Sequence, residues 1–140
     1  MEDKNIVELL YKDLSYKLQG IFREVRKNFG PGHKEIVYQN ALEEEFLINK
    51  IIFEKEKNIG IYSPKTGNKV GDYRADFLID DKIIIEIKAI DFISKNFIEQ
   101  IYSYLKNSKY ELGYFVNFKS PDLYIKRVIY TNDRKPFLKI

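Results

Sequence analysis

The fold is decided by residues 73–90, which read Tyr73-Arg74-Ala75-Asp76-Phe77-Leu78-Ile79, then Asp80-Asp81-Lys82, then Ile83-Ile84-Ile85-Glu86-Ile87-Lys88-Ala89-Ile90. Two runs rich in β-branched and aromatic residues flank a short polar turn, a pattern that predicts a β-hairpin. The second run is apolar at nearly every position, as in a strand that is buried on both faces. We therefore expect this hairpin at the centre of a sheet.

Two charged residues interrupt the apolar second run. Glu86 and Lys88 are two positions apart, so on a strand they point to the same face. A buried charge is costly unless it is paired or binds a metal ion. Three interpretations are open: a buried ion pair, a strand end that reaches water, or part of a functional site.

The length of the hairpin loop determines whether Asp76 joins this pair. If the loop is the three residues Asp80-Asp81-Lys82, the numbers of directly opposed residues add to 162, and Asp76 lies opposite Glu86. Their Cβ atoms would then be about 5 Å apart on one face. A two-residue loop would place them on opposite faces. Aspartates tolerate the left-handed conformation that three-residue loops commonly need.

Two carboxylates at this distance repel each other unless a positive charge lies between them. Mg²⁺ and Mn²⁺ prefer oxygen ligands, bind one or two carboxylates and fill their other positions with water and substrate phosphate. Such an ion lowers the pKa of a water and stabilises charge on a phosphoryl oxygen. Lys88 beside it could orient the attacking water or stabilise the transition state. Asp76, Glu86 and Lys88 together therefore predict a phosphodiester-cleaving site.

Helical periodicity appears three times outside the hairpin. It predicts an amphipathic helix over residues 4–28 and a second helix from His33 to about Ile48, separated by the breaker Gly30-Pro31-Gly32. Ser94 is a plausible N-cap for a third helix that ends near Asn107.

The remaining segments alternate or run apolar as strands do. Residues from Ile51 onward predict two short strands or one strand bent at residues 58–60, and the last strands are 112–118 and 124–130. The resulting order is α-α-β-β-β-α-β-β. It predicts one α/β (α+β) domain over residues 1–140, with a mixed central sheet flanked by helices.

The composition is that of an ordinary folded protein: 140 residues, 44% hydrophobic and 32% charged, with no cysteine. Disulfides and thiolate metal sites are thereby excluded, so metal ligands must be oxygen atoms or the single histidine, His33. We interpret His33 as a loop or cap residue and leave it out of the site. No apolar run approaches the roughly 20 residues of a membrane span, and the N-terminus lacks the apolar stretch of a signal peptide. We expect a cytoplasmic protein without a membrane partner.

Positive charge is concentrated in the last quarter of the chain. Residues 106–140 contain eight Lys/Arg and three Asp/Glu, a net charge of +5 in a chain whose total is +3. Tyrosines and phenylalanines are interspersed among these cations, and Lys126 and Arg127 are adjacent. This composition fits a surface that binds a phosphate backbone, although strands with solvated lysines look the same.

Longer motifs point to a known family. The spacing Asp76…Glu86-Ile87-Lys88 resembles the core of the PD-(D/E)XK nuclease superfamily, which has the restriction-endonuclease-like fold. Residues 32–38, GHKEIVY, are similar to the signature of the GxxExxY family, a branch of that superfamily. Residues 71–78, GDYRADFL, resemble its G-x-R-A-D strand with one extra residue before the arginine, and residues 112–118 resemble a later strand. The resemblance covers about residues 4–130.

The resemblance implies a role for each matching residue. Asp76 and Glu86 are implied to bind Mg²⁺ or Mn²⁺, with Lys88 as the catalytic lysine. Glu35, from the second helix, is implied to approach the same metal directly or through water. Gln100, from the third helix, is implied to face the site and to help place the lysine or a phosphate. Ala75 stands where the superfamily motif has a proline, a position that varies among its members.

The implied activity is metal-dependent hydrolysis of phosphodiester bonds. We expect DNA rather than RNA as the substrate. Arg74, Lys126 and Arg127 are candidate nucleic-acid contacts, although Arg74 could instead pair with Asp72 or Asp76. Two other functions are compatible with the sequence. One is a non-catalytic module that keeps the fold and binds nucleic acid. The other is an interaction protein, such as a homodimer that packs through the first long helix.

Overall fold

The computed structural model describes residues 10–140, which contain three helices, five strands and two short 3-10 turns. The helices are α1 (Lys12–Phe29), α2 (Glu35–Ile48) and α3 (Lys95–Lys106). The strands are β1 (Phe53–Tyr62), β2 (Lys69–Ile79), β3 (Ile83–Lys88), β4 (Leu112–Asn117) and β5 (Tyr124–Ile129), and the turns are Asn132–Arg134 and Pro136–Lys139. The predicted order α-α-β-β-β-α-β-β is confirmed for this part of the chain.

The five strands form one mixed sheet in the order β1-β2-β3-β4-β5. Neighbouring strands are antiparallel except β3 and β4, which are parallel. A parallel pair needs a long crossover connection, and α3 lies in that connection, with Ser94 as its N-cap accepting a hydrogen bond from Asn96 N–H. β3 is the central strand, and its isoleucines are buried on both faces, as the sequence predicts.

Each face of the sheet is covered by helix. On one face, α1 and α2 bury residues such as Leu18, Phe22 and Leu42 against Phe77 and Ile85. We call this the α1/α2 face. On the other, which we call the α3 face, the apolar residues of α3 pack against alternate positions of the same strands: Tyr73, Ala75, Leu78, Ile84 and Phe115. Each fully buried large side chain contributes roughly 1.5–3 kcal/mol to this packing.

The helix predicted over residues 4–28 is described only in part. Residues 4–9 of the predicted helix lie outside the described residues, and α1 begins at Lys12. Tyr11 has a φ of 51°, a left-handed conformation that a right-handed helix cannot continue. The apolar stripe of α1 is buried within the chain's own α1/α2 face, so that stripe is not available for a dimer packed through this helix.

Side-chain alternation breaks in the middle of β2. Residues 73, 75 and 77 should share one face of a regular strand. Instead Phe77 packs on the α1/α2 face, whereas Ala75 and Tyr73 pack on the α3 face. The residue at which the change occurs is Asp76.

The partner strand β1 changes face at the same level. Phe53 packs against the α1/α2 face, but Ile59 is part of the α3 face. Glu56 lies between them with a φ of 54°, and the ladder passes from Lys55↔Phe77 to Lys57↔Ala75. The bend predicted at residues 58–60 is therefore wrong by two residues, because the left-handed residue is a glutamate rather than the nearby glycine. In both strands, the side chains that share a face with Phe53 and Phe77 change to the other face of the sheet beyond Glu56 and Asp76.

Tyr38 connects the turn after α1 to the start of α2. Its side chain is fully buried, and its ring stacks on Phe118 with centroids 4.6 Å apart. Its hydroxyl donates to Gly30 O at 2.5 Å and accepts from His33 N at 3.1 Å. The hydroxyl thus binds one backbone group on each side of the turn. These two bonds fix the turn and therefore the position of Glu35, at which α2 begins.

Within residues 10–140, none of the helices has the length and apolar character needed to cross a lipid bilayer.

Candidate active site

The hairpin β2–β3 has the register that the sequence predicts. Phe77 pairs with Ile85 and Ile79 with Ile83, and Asp80-Asp81-Lys82 forms the loop between them. Asp80 and Asp81 have φ values of 50° and 51°. The prediction of a three-residue loop with left-handed aspartates is confirmed, and it directs Asp76 toward Glu86.

β2 and β3 separate directly after the pair Phe77↔Ile85, and side chains take over the hydrogen bonds of the ladder. Glu86 Oε1 accepts from the backbone N–H of Asp76 at 3.2 Å. Asp76 Oδ2 accepts from the backbone N–H of Ile87 at 2.8 Å. The two carboxylates thus lie on either side of one fork between the strands, each bonded to the backbone of the other's strand. We call this position the fork.

Glu86 lies in a part-buried environment on the α3 side of the fork. The hydroxyl of Tyr73 donates to Glu86 Oε1, the same oxygen that accepts from Asp76 N–H. The pKa of Glu86 is raised to about 7, mainly by burial and next by the negative charge of Asp76, while Tyr73, the Asp76 N–H and Lys88 act in the opposite direction. A carboxyl group with this pKa is a sign of negative charge held where water is scarce.

The pKa of Asp76 depends on charges from other elements of the fold. The pKa of Asp76 is raised to about 6, mainly by burial and also by the negative charges of Glu35 and Glu56. The hydrogen bond from Ile87 N–H and the charge of Lys88 act in the opposite direction. Asp76 is therefore the point at which carboxylates from α2, β1 and β3 interact electrostatically. Perturbed carboxyl pairs of this kind are concentrated at functional sites.

Lys88 shares the α3 side with Glu86, as their spacing predicts. Its Nζ lies 5.5 Å from the ring centroid of Phe97 in α3, and its charge lowers the pKa of both Glu86 and Asp76. However, Lys88 forms no ion pair within 4.0 Å with either carboxylate. The interpretation of Glu86 and Lys88 as a buried ion pair is therefore wrong, and the half-buried ammonium group is left close to the carboxylates without contacting them.

Glu35 is near the fork but does not complete a three-carboxylate site. Within residues 10–140 there is no group of three or more His, Asp or Glu side chains arranged to hold a metal ion. Glu35 is the first residue of α2, and its charge raises the pKa of Asp76. Its approach to the same cation, directly or through water, stays a prediction.

Gln100 is exposed on α3, and its side chain makes no hydrogen bond to any residue in the described range. It lies three residues after Phe97 and four before Tyr104, so it borders the surface of α3 that carries the contacts to Lys88 and Tyr73. The structure therefore places Gln100 next to the site residues of α3 without bringing it into contact with them.

Arg74 pairs with a different acid from those that the sequence suggests. Its guanidinium donates to Glu56 at 2.7 Å, while Asp72 pairs with Lys69 at 2.8 Å. The break in β1 at Glu56 explains this partner. Exposed ion pairs contribute only about 0–1 kcal/mol, so a phosphate could replace Glu56 as the partner of Arg74.

The basic C-terminal residues do not form one surface. Lys126 and Arg127 are adjacent on β5, so they point to opposite faces; Lys126 is exposed, and Arg127 donates to Leu10 O at 3.3 Å on the α1 side. Lys135 is fully buried and donates to Ser108 O and Tyr110 O. Strand alternation therefore separates Lys126 from Arg127, and nucleic-acid binding by either residue stays a prediction.

The oxygen atoms at the fork fit a hard divalent cation. Asp76 Oδ1 and Glu86 Oε2 accept no hydrogen bond from residues 10–140, so each carboxylate keeps one oxygen for another partner. The sequence contains no cysteine, and His33 lies in the turn before α2. Two carboxylates with the remaining positions open to water suit Mg²⁺ or Mn²⁺ rather than a metal that prefers sulfur or nitrogen.

We expect the metal-free protein to become less stable as pH rises from about 5 to 8. The folded-state pKa values of Asp76 and Glu86, about 6 and about 7, lie above their ordinary values of 3.8 and 4.5. The folded state therefore binds these protons more tightly than the unfolded state, so the stability they confer is complete below about pH 4 and is lost as pH passes through 6 and 7.

The measurement is urea denaturation in EDTA across this pH range. A pKa difference of one unit between the folded and unfolded states corresponds to about 1.4 kcal/mol, and the pKa of Glu86 is raised from 4.5 to about 7. We therefore expect Glu86→Gln to be more stable than the wild type by about 3 kcal/mol at pH 8 and by about 1 kcal/mol at pH 5. Glu44→Gln, on the exposed face of α2, is the matched control and should show no such trend. Parallel profiles for the wild type and Glu86→Gln would contradict the expectation.

The sequence reasoning missed Tyr73 as a site residue. In a regular hairpin with this register, Tyr73 would lie beyond the end of β3 and would not reach Glu86. The available signal was the extra residue before Arg74 in residues 71–74, which departs from the family motif. It did not reveal the break in alternation at Asp76 that brings the tyrosine to the α3 side.

A family model described as PD-(D/E)XK nuclease superfamily matches residues 12–128. The matched region extends from the start of α1 into β5 and includes both carboxylates of the fork, Glu35 and Lys88. No curated protein and no solved structure matches the chain.

Proposed function

The chain belongs to the PD-(D/E)XK nuclease superfamily, and from this premise we propose that it is a metal-dependent nuclease whose active site is the fork. Superfamily membership supports phosphodiester hydrolysis as the reaction and nucleic acid as the substrate. The narrower assignment to the GxxExxY branch is part of the proposal, supported by residues 32–38, in which Tyr38 holds the turn that precedes Glu35.

One observation supports this function more than any other. Asp76 and Glu86 are held across the fork by bonds to each other's strands, at 2.8 Å and 3.2 Å, with Lys88 on the Glu86 side. Burial raises the pKa of both carboxyl groups, and the charge of Asp76 raises that of Glu86 further above its ordinary range. A purely structural hairpin would have no use for this electrostatic cost, whereas a cation site requires it.

The proposed roles follow from the free atoms at the fork. Asp76 Oδ1 and Glu86 Oε2 would hold Mg²⁺ or Mn²⁺. Such an ion supplies Lewis acidity, which lowers the pKa of the attacking water and stabilises charge on a phosphoryl oxygen. Lys88, whose Nζ forms no ion pair with any residue from 10 to 140, would donate a hydrogen bond to the attacking water or to a phosphoryl oxygen. Glu35 would orient a water beside Asp76.

The remaining predicted residues have supporting roles in this proposal. Gln100 would contact substrate from the exposed surface of α3, and Arg74 would exchange Glu56 for a backbone phosphate. DNA is proposed as the preferred substrate and RNA as the alternative. The separation of Lys126 from Arg127 leaves each of them as at most an individual phosphate contact.

Cleavage assays test the proposal directly. Supercoiled plasmid, single-stranded DNA and single-stranded RNA are incubated with the protein and Mg²⁺ or Mn²⁺, with and without excess EDTA. We expect cleavage of at least one substrate, and we expect EDTA to abolish it. Salt-dependent binding without cleavage in either metal would instead show a non-catalytic nucleic-acid-binding module. Neither binding nor cleavage, together with a dimer in sedimentation analysis, would show an interaction protein.

A further inference from the structure

Glu86 is held by two donors on a single oxygen atom. The Tyr73 hydroxyl and the Asp76 backbone N–H both donate to Oε1. No hydrogen bond from the described residues reaches Oε2. The carboxylate is therefore oriented unequally, with one oxygen turned into the protein and the other left for a partner from outside the chain.

Tyr73 has little freedom to release this contact. Its side chain is 9% exposed, and its ring stacks on Tyr104 with centroids 3.6 Å apart and an angle of 14° between planes. It packs in the same cluster as Ile84, two residues before Glu86 on β3. The ring is thus fixed between the sheet and α3, and its hydroxyl is directed at Oε1 before any ligand binds.

Tyr73 reaches Glu86 only because β2 departs from regular strand alternation. β2 must change face at Asp76 for a residue three positions earlier to pack beside β3 on the α3 side. That change requires Glu56, on the neighbouring strand, to adopt a left-handed conformation that costs energy in a non-glycine residue. A buried tyrosine hydroxyl could be satisfied by any backbone carbonyl, yet here its partner is the central carboxylate of the site.

We propose that Tyr73 is a positioning residue that orients Glu86 so that Oε2 faces the divalent cation. This inference rests on the proposed function, because it assigns the cation to the fork. The hydroxyl occupies Oε1, so Glu86 binds the cation through one oxygen in a fixed direction. Residues that orient metal ligands through hydrogen bonds typically change metal affinity or activity by about 10- to 100-fold when they are removed.

The test is Tyr73→Phe, which removes only the hydroxyl and keeps the ring that stacks on Tyr104. Mn²⁺ binding is measured at equilibrium by electron paramagnetic resonance, without substrate, and cleavage is measured as a function of Mn²⁺ concentration. We expect the Kd for Mn²⁺ to rise by about tenfold or more. The Mn²⁺ concentration for half-maximal cleavage should rise to match, whereas kcat at saturating Mn²⁺ should fall much less.

The matched control is Tyr102→Phe, which removes a hydroxyl from α3 on the side that contacts Tyr130. Circular dichroism and urea denaturation show whether each variant is folded under the titration conditions, so a loss of binding can be separated from a loss of structure. A Tyr73→Phe protein that is folded and binds Mn²⁺ as the wild type does overturns the inference and leaves the proposed function intact. A wild-type protein that neither binds Mn²⁺ nor cleaves nucleic acid overturns both.

Discussion

Glu86→Gln is expected to lower metal-dependent cleavage by about 1,000-fold or more. A neutral amide oxygen replaces the carboxylate that would hold the cation, while the side chain keeps its size and its place beside Tyr73 and Asp76. Loss of a metal's stabilisation of the transition state amounts to several kcal/mol, and about 4 kcal/mol corresponds to a factor of 1,000 in rate. The measurement is the single-turnover rate on the best wild-type substrate at saturating Mn²⁺.

Two further measurements distinguish a loss of cleavage activity from unfolding of the Glu86→Gln variant. The metal-free variant should be more stable than the wild type at pH 8, since the substitution removes one of two carboxyl groups whose pKa values are raised by burial and repulsion. Nucleic-acid binding in EDTA should also survive. Glu44→Gln again serves as the exposed control and should cleave at the wild-type rate. Cleavage by Glu86→Gln at more than a tenth of the wild-type rate would remove the fork from consideration as the catalytic centre.

Lys88→Met is expected to lower cleavage by about 100-fold while leaving Mn²⁺ binding intact or stronger. Methionine keeps an apolar side chain against Phe97 but lacks the ammonium group. Removing one preorganised donor that stabilises transition-state charge typically costs about 100- to 1,000-fold in kcat. The positive charge of Lys88 acts on both carboxylates, so its removal lowers the repulsion felt by a cation at the fork.

The two effects of Lys88→Met must be measured separately. Mn²⁺ affinity is obtained by equilibrium titration without substrate, and the cleavage rate is obtained at saturating Mn²⁺. Lys95→Met, at an exposed lysine of α3, is the matched control for the general loss of a positive charge. If Lys88→Met and Lys95→Met cleave equally well, Lys88 has no catalytic role; if Lys88→Met weakens Mn²⁺ binding, the lysine supports the site instead of acting on the substrate.

If the pH profile and these variants behave as expected, the arrangement at the fork lowers the free energy of unfolding of the metal-free protein and is required for cleavage. The carboxylates at the fork repel each other in the metal-free protein, and the strands that carry them lose ladder bonds directly beside them. The break at Glu56 and Asp76 adds a left-handed glutamate to this cost. Such local costs persist in folded proteins when the surrounding core is strong enough to impose them, and here a helix layer on each face of the sheet supplies that core.

Local features of the sequence determined the elements and the central register. The helical periodicity of α1 and α2, the N-cap Ser94 and the apolar run of β3 each depend on neighbours within a few residues, so they could be predicted directly. The three-residue loop set the pairing of Phe77 with Ile85 and thereby the approach of Asp76 to Glu86. Strand alternation is also a local property, and it separates Lys126 from Arg127.

Only the tertiary structure decided which side chains surround the two carboxylates. Tyr73 reaches Glu86, Arg74 pairs with Glu56, and the charge of Glu35 acts on Asp76 from the start of α2. All three outcomes depend on how β1 and β2 turn over between two helix layers, and on where the Tyr38 hydroxyl fixes the start of α2. A prediction from periodicity assumes that side chains alternate without interruption along a strand. The break at Asp76 results from packing on both faces of the sheet at once, and this packing cannot be recognised from a local sequence pattern.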